Sequence, residues 1–269
     1  MRITVTQCAR DGCGRRCLSW LVAHAPIGTF VDRRWYCSTG CVEHAVKMRL
    51  SRLPAVEPAW IQGWLPIKLG TLLSRQAGLS REAIAQALEV QGQSGAPLGQ
   101  TLTSLGHVTR EDLLRALATQ AGVRYLTSVD PDAVSHRPGG LPCHTVKTLG
   151  IVPVAADAKR QELQVACTAP IPGHAVRALS RLTRWSVEPL LVSDEALPQL
   201  VDLYTSAAEP ASEGFVCDAD TGVAMIARIA RSRRRVHMRQ ERCDPYVWVR
   251  LEGVGSSDDV LLAMAAAVR

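Results

Sequence analysis

Five of the nine cysteines stand within the first 41 of 269 residues, at Cys8, Cys13, Cys17, Cys37 and Cys41. Four residues separate Cys8 from Cys13 and three separate Cys37 from Cys41, with 23 residues between the two pairs. This is the spacing of two short knuckles closing around one tetrahedral ion, and thiolate ligands of this kind favour zinc. Four sulfurs, from Cys8, Cys13, Cys37 and Cys41, would leave no open coordination position. The metal is therefore expected to be structural, supplying folding energy to a segment too small for a core of its own. Spacing alone leaves alternatives open, because Cys17 can replace Cys13, and His24 or His44 can stand in for any thiolate. Disulfides are the competing reading. The odd number of cysteines and the lack of a long apolar run in residues 1–20 speak against them.

A second group of residues occurs twice, 29 positions apart: Lys68-Leu69-Gly70 through Gln91, then Pro97-Leu98-Gly99 through Gln120. Each copy has Leu-Gly, a leucine three residues on (Leu73, Leu102), a glycine turn (Gly78, Gly106), an apolar pair four apart (Ile84 and Leu88, Leu113 and Leu117) and a closing glutamine. Leucines three and four apart make the buried stripe of an amphipathic helix, so a pair of helical hairpins accounts for them. It does not account for the doubled Leu-Gly and glutamine. A residue without a β-carbon lets a flat ligand approach the backbone, and a glutamine offers both a donor and an acceptor. Two like units suit a two-sided site or a small helical array.

These residues resemble the MshEN domain at the N-terminus of type II secretion and type IV pilus assembly ATPases. That family carries two tandem motifs of Arg-Leu-Gly, then leucine, glycine, two leucines and glutamine, which bind cyclic di-GMP. The likeness runs through Leu69, Gly70, Leu73, Ile84, Leu88 and Gln91, and again through Leu98, Gly99, Leu102, Gly106, Leu113, Leu117 and Gln120. It implies a dinucleotide site drawn from Lys68, Leu69, Gly70, Leu73, Leu88, Gln91, Leu98, Gly99, Leu102, Leu117 and Gln120. In it the two Leu-Gly pairs form an apolar floor, the glutamines hydrogen-bond the ligand and Lys68 offsets part of its charge. The opening arginine of the motif is Lys68 in one copy and Pro97 in the other, and the first copy has Ala77 beside Gly78 where the family has its glycine. Lysine keeps the charge without the planar fork, and proline keeps neither charge nor donor. Further on, Ala169-Pro170 stands where the family has Asp-Pro, and no glycine occurs within Thr183 to Trp185. Tyr36 to Leu50 resembles the end of a treble-clef or ribbon-type zinc finger, in which the last cysteine pair opens a helix. Val236-His237-Met238 and Val249 to Gly253 resemble the small domain that precedes the motor core in secretion ATPases.

The elements that would position these residues give an α+β, multi-domain chain. A cysteine-rich module is expected over 1–52, a linker marked by Pro54, Pro58 and Pro66 over 53–66, and an MshEN-like domain over 67–205. The latter divides into a helical tandem repeat (67–125) and a two-layer α/β subdomain (126–205), with strands at Gly150 to Ala155, Glu162 to Thr168 and Val187 to Val192 and helices at His174 to Leu182 and Glu195 to Tyr204. A small, acidic run over 206–214 reads as a second linker, and 215–269 as a third, α/β module. There a helix covers Gly222 to Ile229, and Val247, Val249 and Leu251 alternate with Trp248, Arg250 and Glu252 as a half-exposed strand would.

Other chemistry is set aside on the residues. The sequence contains no Gly-x-x-x-x-Gly-Lys-Ser/Thr loop, so no ATPase activity is expected of these 269 residues. His237 near Glu241 and Asp244 is read as structural, Ser38 as a turn residue, and Cys143, Cys167, Cys217 and Cys243 as small hydrophobes. The net charge of +6 and pI near 9.0 raise nucleic acid as a rival partner, with Arg231, Arg233, Arg234 and Arg235 as the dense basic cluster. Two phenylalanines and four tyrosines give no stacking platform, so that partner is not favoured. No stretch approaches membrane-spanning length. The expectation is a cytoplasmic, non-enzymatic regulator or adaptor of a secretion or pilus machine, with structural zinc and cyclic di-GMP as ligands. A ligand-free scaffold is the alternative.

Overall fold

A computed structural model describes residues 4–25, 27–54, 67–135, 141–207, 214–243, 245–254 and 257–263. Most of both expected linkers, and Asp244, lie outside these residues. The chain opens with an antiparallel pair, β1 (Val5–Gln7) and β2 (Arg16–Leu18), then α1 (Ser19–His24), the hairpin β3 (Thr29–Val31) and β4 (Arg34–Tyr36), and α2 (Thr39–Leu50). Four helices follow: α3 (Leu69–Ala77), α4 (Arg81–Ser94), α5 (Leu98–Ser104) and α6 (Arg110–Ala121). Then come β5 (Arg124–Tyr125), α7 (Pro131–Ser135), α8 (Cys143–Leu149), β6 (Val152–Asp157), β7 (Glu162–Cys167), α9 (Gly173–Thr183), β8 (Ser186–Leu191) and α10 (Ala196–Ser206). The last stretch is β9 (Gly214–Asp218), α11 (Ala219–Arg233), β10 (Arg235–Cys243), β11 (Tyr246–Glu252) and β12 (Ser257–Ala263).

Local chemistry sets the helix ends. Side-chain oxygens of Ser38, Ser80, Thr109 and Asp218 accept hydrogen bonds from backbone N–H groups in the first turns of α2, α4, α6 and α11, as N-caps do. α3 and α4 stop at Gly78 (φ 67°) and Gly95 (φ 70°), left-handed positions that glycine reaches without a β-carbon clash. α9 ends on Arg184 at φ 64°, the stretch where the family likeness calls for glycine. The arginine bears the left-handed conformation, and its guanidinium meets Glu252 of β11 at 2.9 Å.

Two sheets organise the rest. The four-stranded sheet runs β5-β8-β7-β6, parallel except for β6. The six-stranded sheet runs β4-β3-β10-β11-β12-β9 and takes strands from both ends of the chain. β3 pairs in parallel with β10 through Phe30 and Val31, and the Thr29 hydroxyl donates to the Ala230 carbonyl at 2.7 Å, 201 residues away. Residues 1–52 and 215–269, read in sequence as separate modules, thus share a sheet, and Val42 and Val46 of α2 lie in one core with Val223 and Ile226 of α11.

The six-stranded sheet is covered on both faces. Val247, Val249, Leu251, Val260 and Leu262 face α2 and α11, whereas Trp248 and Leu261 enter the core of the four-stranded sheet and its helices. Trp248 and Arg250, expected on a wet face, are therefore buried. Burial is possible for Arg250 because Asp259, opposite it on β12, takes both its Nε and its second guanidinium nitrogen at 2.8 Å, while the Trp248 indole N–H donates to the same carboxylate at 2.7 Å. Desolvation works against the Arg250 charge, and the Asp259 carboxylate more than offsets it, holding the pKa up. The remaining Arg250 nitrogen donates to the Leu182 carbonyl in α9 at 3.2 Å, tying the two sheets' layers together.

Replacing Asp259 by alanine leaves a buried guanidinium and an indole N–H without their acceptor. We expect a loss of roughly 3–5 kcal/mol, seen as a lowered urea midpoint. Adding Arg250→Met should recover most of it, because the unpaired charge is then gone.

Candidate functional site

The four-cysteine cluster is assembled from two turns. Cys8 follows β1 and Cys13 lies in a loop that bends through Gly12 and Gly14, at φ 76° and 64° with open space around each, so conformation and not crowding calls for glycine there. The backbone N–H groups of Cys8 and Ala9 bond to the Arg15 and Trp35 carbonyls at 2.8 Å, which lays this knuckle against β4. Cys37 follows β4, and Cys41 sits in the first turn of α2, its N–H donating to the Ser38 cap at 3.3 Å.

The Sγ atoms of Cys8, Cys13, Cys37 and Cys41 all lie within 4.8 Å of one another. Separations are 3.6 Å for Cys13–Cys37, 3.6 Å for Cys37–Cys41 and 3.7 Å for Cys13–Cys41. Sulfurs at ~2.3 Å from a tetrahedral ion stand ~3.8 Å apart, so the geometry suits a zinc-sized ion. The electrostatics agree. Burial and neighbouring thiols push Cys37 up to about 12, and burial raises Cys8. Burial also opposes ionisation of Cys41, yet hydrogen bonds from Ser38, Cys37, Cys13 and Arg10 bring it down to about 6. Four thiols this close ionise together only beside a cation. Cys17, on β2, is not in the group, and the His24 ring bonds to the Trp20 carbonyl at 2.8 Å.

The helices α3 to α6 divide the other candidate residues. α3 packs on α6 and α4 on α5. Leu73 and Leu102 are fully buried and lie in the core of these helices, not on the wall of the cavity that opens beside α5 and α6. Gly70 is buried with Ile84 at 3.4 Å from where a β-carbon would stand, and Gly99 has a Leu113 methyl at 2.7 Å from the same point. Gln120 is buried, its amide donating to the Ile67 carbonyl at 2.7 Å, so one of its two hydrogen-bonding ends closes the approach to α3. Lys68 is exposed at the N-cap of α3, Leu88 is half exposed on α4 and Gln91 is partly exposed near its end.

A cavity of about 690 Å³ opens between α5, α6 and the loops after β7 and β8. It gathers Leu69, Leu98, Gly99 and Leu117 from the expected set, with Leu113 and Leu114 beside them. The loops contribute Thr168, Ala169 and the run Val192 to Glu195. Arg110, the first residue of α6, lies at the rim and pairs with Glu195. Sequence reasoning missed the loop residues because they stand 48 or more positions beyond Gln120, the end of the second motif, and carry no motif of their own. Ala169 was noted only as a departure from the family pattern.

The basic cluster is engaged within the fold. Arg233 forks onto Asp258 at 3.1 and 3.2 Å, Arg234 donates to the Ala25 carbonyl at 2.7 Å, and Arg235 lies over the Phe30 ring at 5.2 Å. His237 pairs with Asp32, whose carboxylate also takes the Met238 N–H at 2.9 Å. Cys167 is buried and pushed up to about 12, the behaviour of an inert thiol.

No protein-family profile matches the chain. Over 78 residues it is 40% identical to the type IV pilus assembly ATPase PilB of Thermus thermophilus, covering 29% of this chain and 9% of the relative. Over 155 residues it is 26% identical to PilB of Myxococcus xanthus, covering 56% of this chain and 26% of that one. The chain thus spans only a small part, about a quarter or less, of the relatives it matches. Among solved structures, MshE with cdg is 28% identical, with 51% of this chain and 99% of that chain covered and a TM-score of 0.41. The N-terminal domain of XpsE is 16% identical, with 55% and 99% covered and a TM-score of 0.36. Among the described residues no helix is long and apolar enough to cross a membrane.

The two motif glycines should respond differently to a methyl group. Gly70→Ala meets Ile84 at ordinary contact distance, so its stability should stay within about 0.5 kcal/mol of the parent. Gly99→Ala must push the Leu113 side chain aside, toward the cavity, at about 1 kcal/mol. Paired thermal melts of the two variants read the difference.

Proposed function

We propose that the chain is a non-enzymatic regulatory or adaptor protein of a type II secretion or type IV pilus machine, acting in the cytoplasm through an MshEN-like domain that binds cyclic di-GMP. The observation that carries this reading is the cavity in which the second Leu-Gly pair and Leu117, the residues the motif names, meet in one apolar wall. The similarity to PilB ATPases supports the choice of machine. The repeat is read as two like units, α3 with α4 and α5 with α6, and the ligand-binding unit as 67–205. Leu69, Leu98 and Gly99 would hold a purine face, and Lys68 and Gln91 would reach the ligand from the first unit.

Zinc is the second part of the proposal. Cys8, Cys13, Cys37 and Cys41 would hold it with four thiolates and no open position, so it would cross-link and not catalyse. Sulfur separations of 3.6 to 3.7 Å among Cys13, Cys37 and Cys41 support this reading. The ion would fix the first knuckle and β4 to α2, and through β3 set the edge of the six-stranded sheet.

A ligand-free scaffold is the second reading, and one observation favours it. Leu73, Leu102 and most of Gln120 serve the packing of the helices, so the motif has a purpose without a nucleotide.

Calorimetric titration with cyclic di-GMP, with GMP as control, should give a micromolar or tighter signal that Gly99→Leu removes, because the larger side chain drives Leu113 into the cavity. Silence from the folded parent protein would leave the scaffold. Metal analysis should find one zinc per chain, unchanged in Cys17→Ser and lost in Cys41→Ser. Acidification should release it, because protons compete for thiolates as the pH falls.

A further inference from the structure

The rim of the cavity carries a contact that the motif does not foresee. Arg110 and Glu195 form an ion pair between the start of α6 and the start of α10, and Asp194 stands beside it. Among the described residues that line the cavity, Arg110 is the one cation, and Asp194 and Glu195 outnumber it. A phosphate-bearing ligand approaching this rim therefore meets a net negative edge and a guanidinium already occupied.

The positions of the pair make Arg110 the place where an anion would bind. A cation at the first position of a helix is disfavoured by the helix dipole, since the N-terminus itself carries partial positive charge. An anion held there is attracted by both the guanidinium and the dipole. Glu195 supplies that anion from within the chain. Both side chains are about two-thirds exposed, at 67% each. An ion pair so open to water is weak and exchanges readily with a competing anion.

We propose that Arg110 is the phosphate-binding residue of this cavity, replacing the cation lost at Pro97, and that Glu195 is a built-in competitor that a phosphate must displace. Resting on the nucleotide-binding reading above, this adds a threshold to it. The ligand class is a phosphodiester or phosphate anion with an apolar, ring-bearing body: the guanidinium takes the phosphate and Leu98, Leu113 and Leu117 take the ring. Glu195→Gln keeps the shape of the side chain and removes the charge, opening Arg110 without disturbing the backbone of α10.

The test is calorimetric titration of cyclic di-GMP into the full chain as parent, Glu195→Gln, Arg110→Gln and the double variant, with melting temperatures as a control for folding. Affinity should rise roughly threefold to tenfold in Glu195→Gln and fall by at least as much in Arg110→Gln. The double variant should bind like Arg110→Gln, because the carboxylate acts only through the guanidinium. Equal affinity of parent and Glu195→Gln overturns it while leaving the nucleotide site standing. Binding unaffected by Arg110→Gln overturns the assignment of the phosphate position. Silence from all four folded proteins overturns the competitor and the nucleotide reading together.

Discussion

The carboxylate of Asp259 is fully buried and shared by three donors, and it is the contact around which both layers of the molecule are set. A charge this deep tolerates little displacement, because each oxygen would have to find a new donor in a medium that supplies none. Its donors Trp248 and Arg250 both lie on β11, on the face opposite Val247, Val249 and Leu251. A slip of one residue between β11 and β12 would put the ion pair into the valine core and the valines against the four-stranded sheet. The pair therefore specifies register. Through the bond to Leu182 it also specifies where α9 lies, with Arg239 donating to the neighbouring Arg181 carbonyl at 2.9 Å.

The N-terminal segment depends on that sheet, because Val31, Trp35, Val42 and Val46 are buried in the core it shares with α11. β3 offers only two residues to β10, so backbone pairing alone would hold it weakly. Side chains make up the difference. Asp32, at φ 49° in the β3–β4 turn, ties Arg49 of α2, His237 and the Met238 N–H to one carboxylate. The four thiols gather the first knuckle, the end of β4 and the start of α2 within a few ångströms. A turn with two non-glycine residues at positive φ persists where its surroundings fix it, and here Asp32 and the cysteine cluster supply that constraint from either end of the hairpin.

The parts legible in the sequence were those with a local cause. Gly78, read as a turn, stops α3, and Ile84 and Leu88, an apolar pair four apart, fall on α4 as their spacing asks. The cysteine spacing likewise put forward the four residues whose sulfurs meet, while leaving Cys17, His24 and His44 open as substitutes. What escaped was set by partners far along the chain. β12 contains Asp258-Asp259, a pair that speaks against a strand until Arg233 and Arg250 are seen to neutralise it. β11 read as half exposed because valine alternates with tryptophan and arginine, and alternation does not distinguish a wet face from a second buried one. The pairing of β3 with β10 and the loops that wall the cavity have no local signature at all.

This division bears on what the Leu-Gly motif means. A residue can recur because it faces a ligand or because it permits packing, and Gly99 is placed for either: it lines the cavity and leaves room for Leu113. Leu73 and Leu102 do only the second. Such positions would be retained by a chain that has lost its ligand, so their presence is compatible with either history. Lys68 and Pro97 are different, because an exposed cation or a helix-capping proline at the start of a helix is not needed to pack it. The residues that discriminate between receptor and scaffold are thus the ones with no packing duty. In this cavity those are the charges at its rim, Arg110 against Asp194 and Glu195.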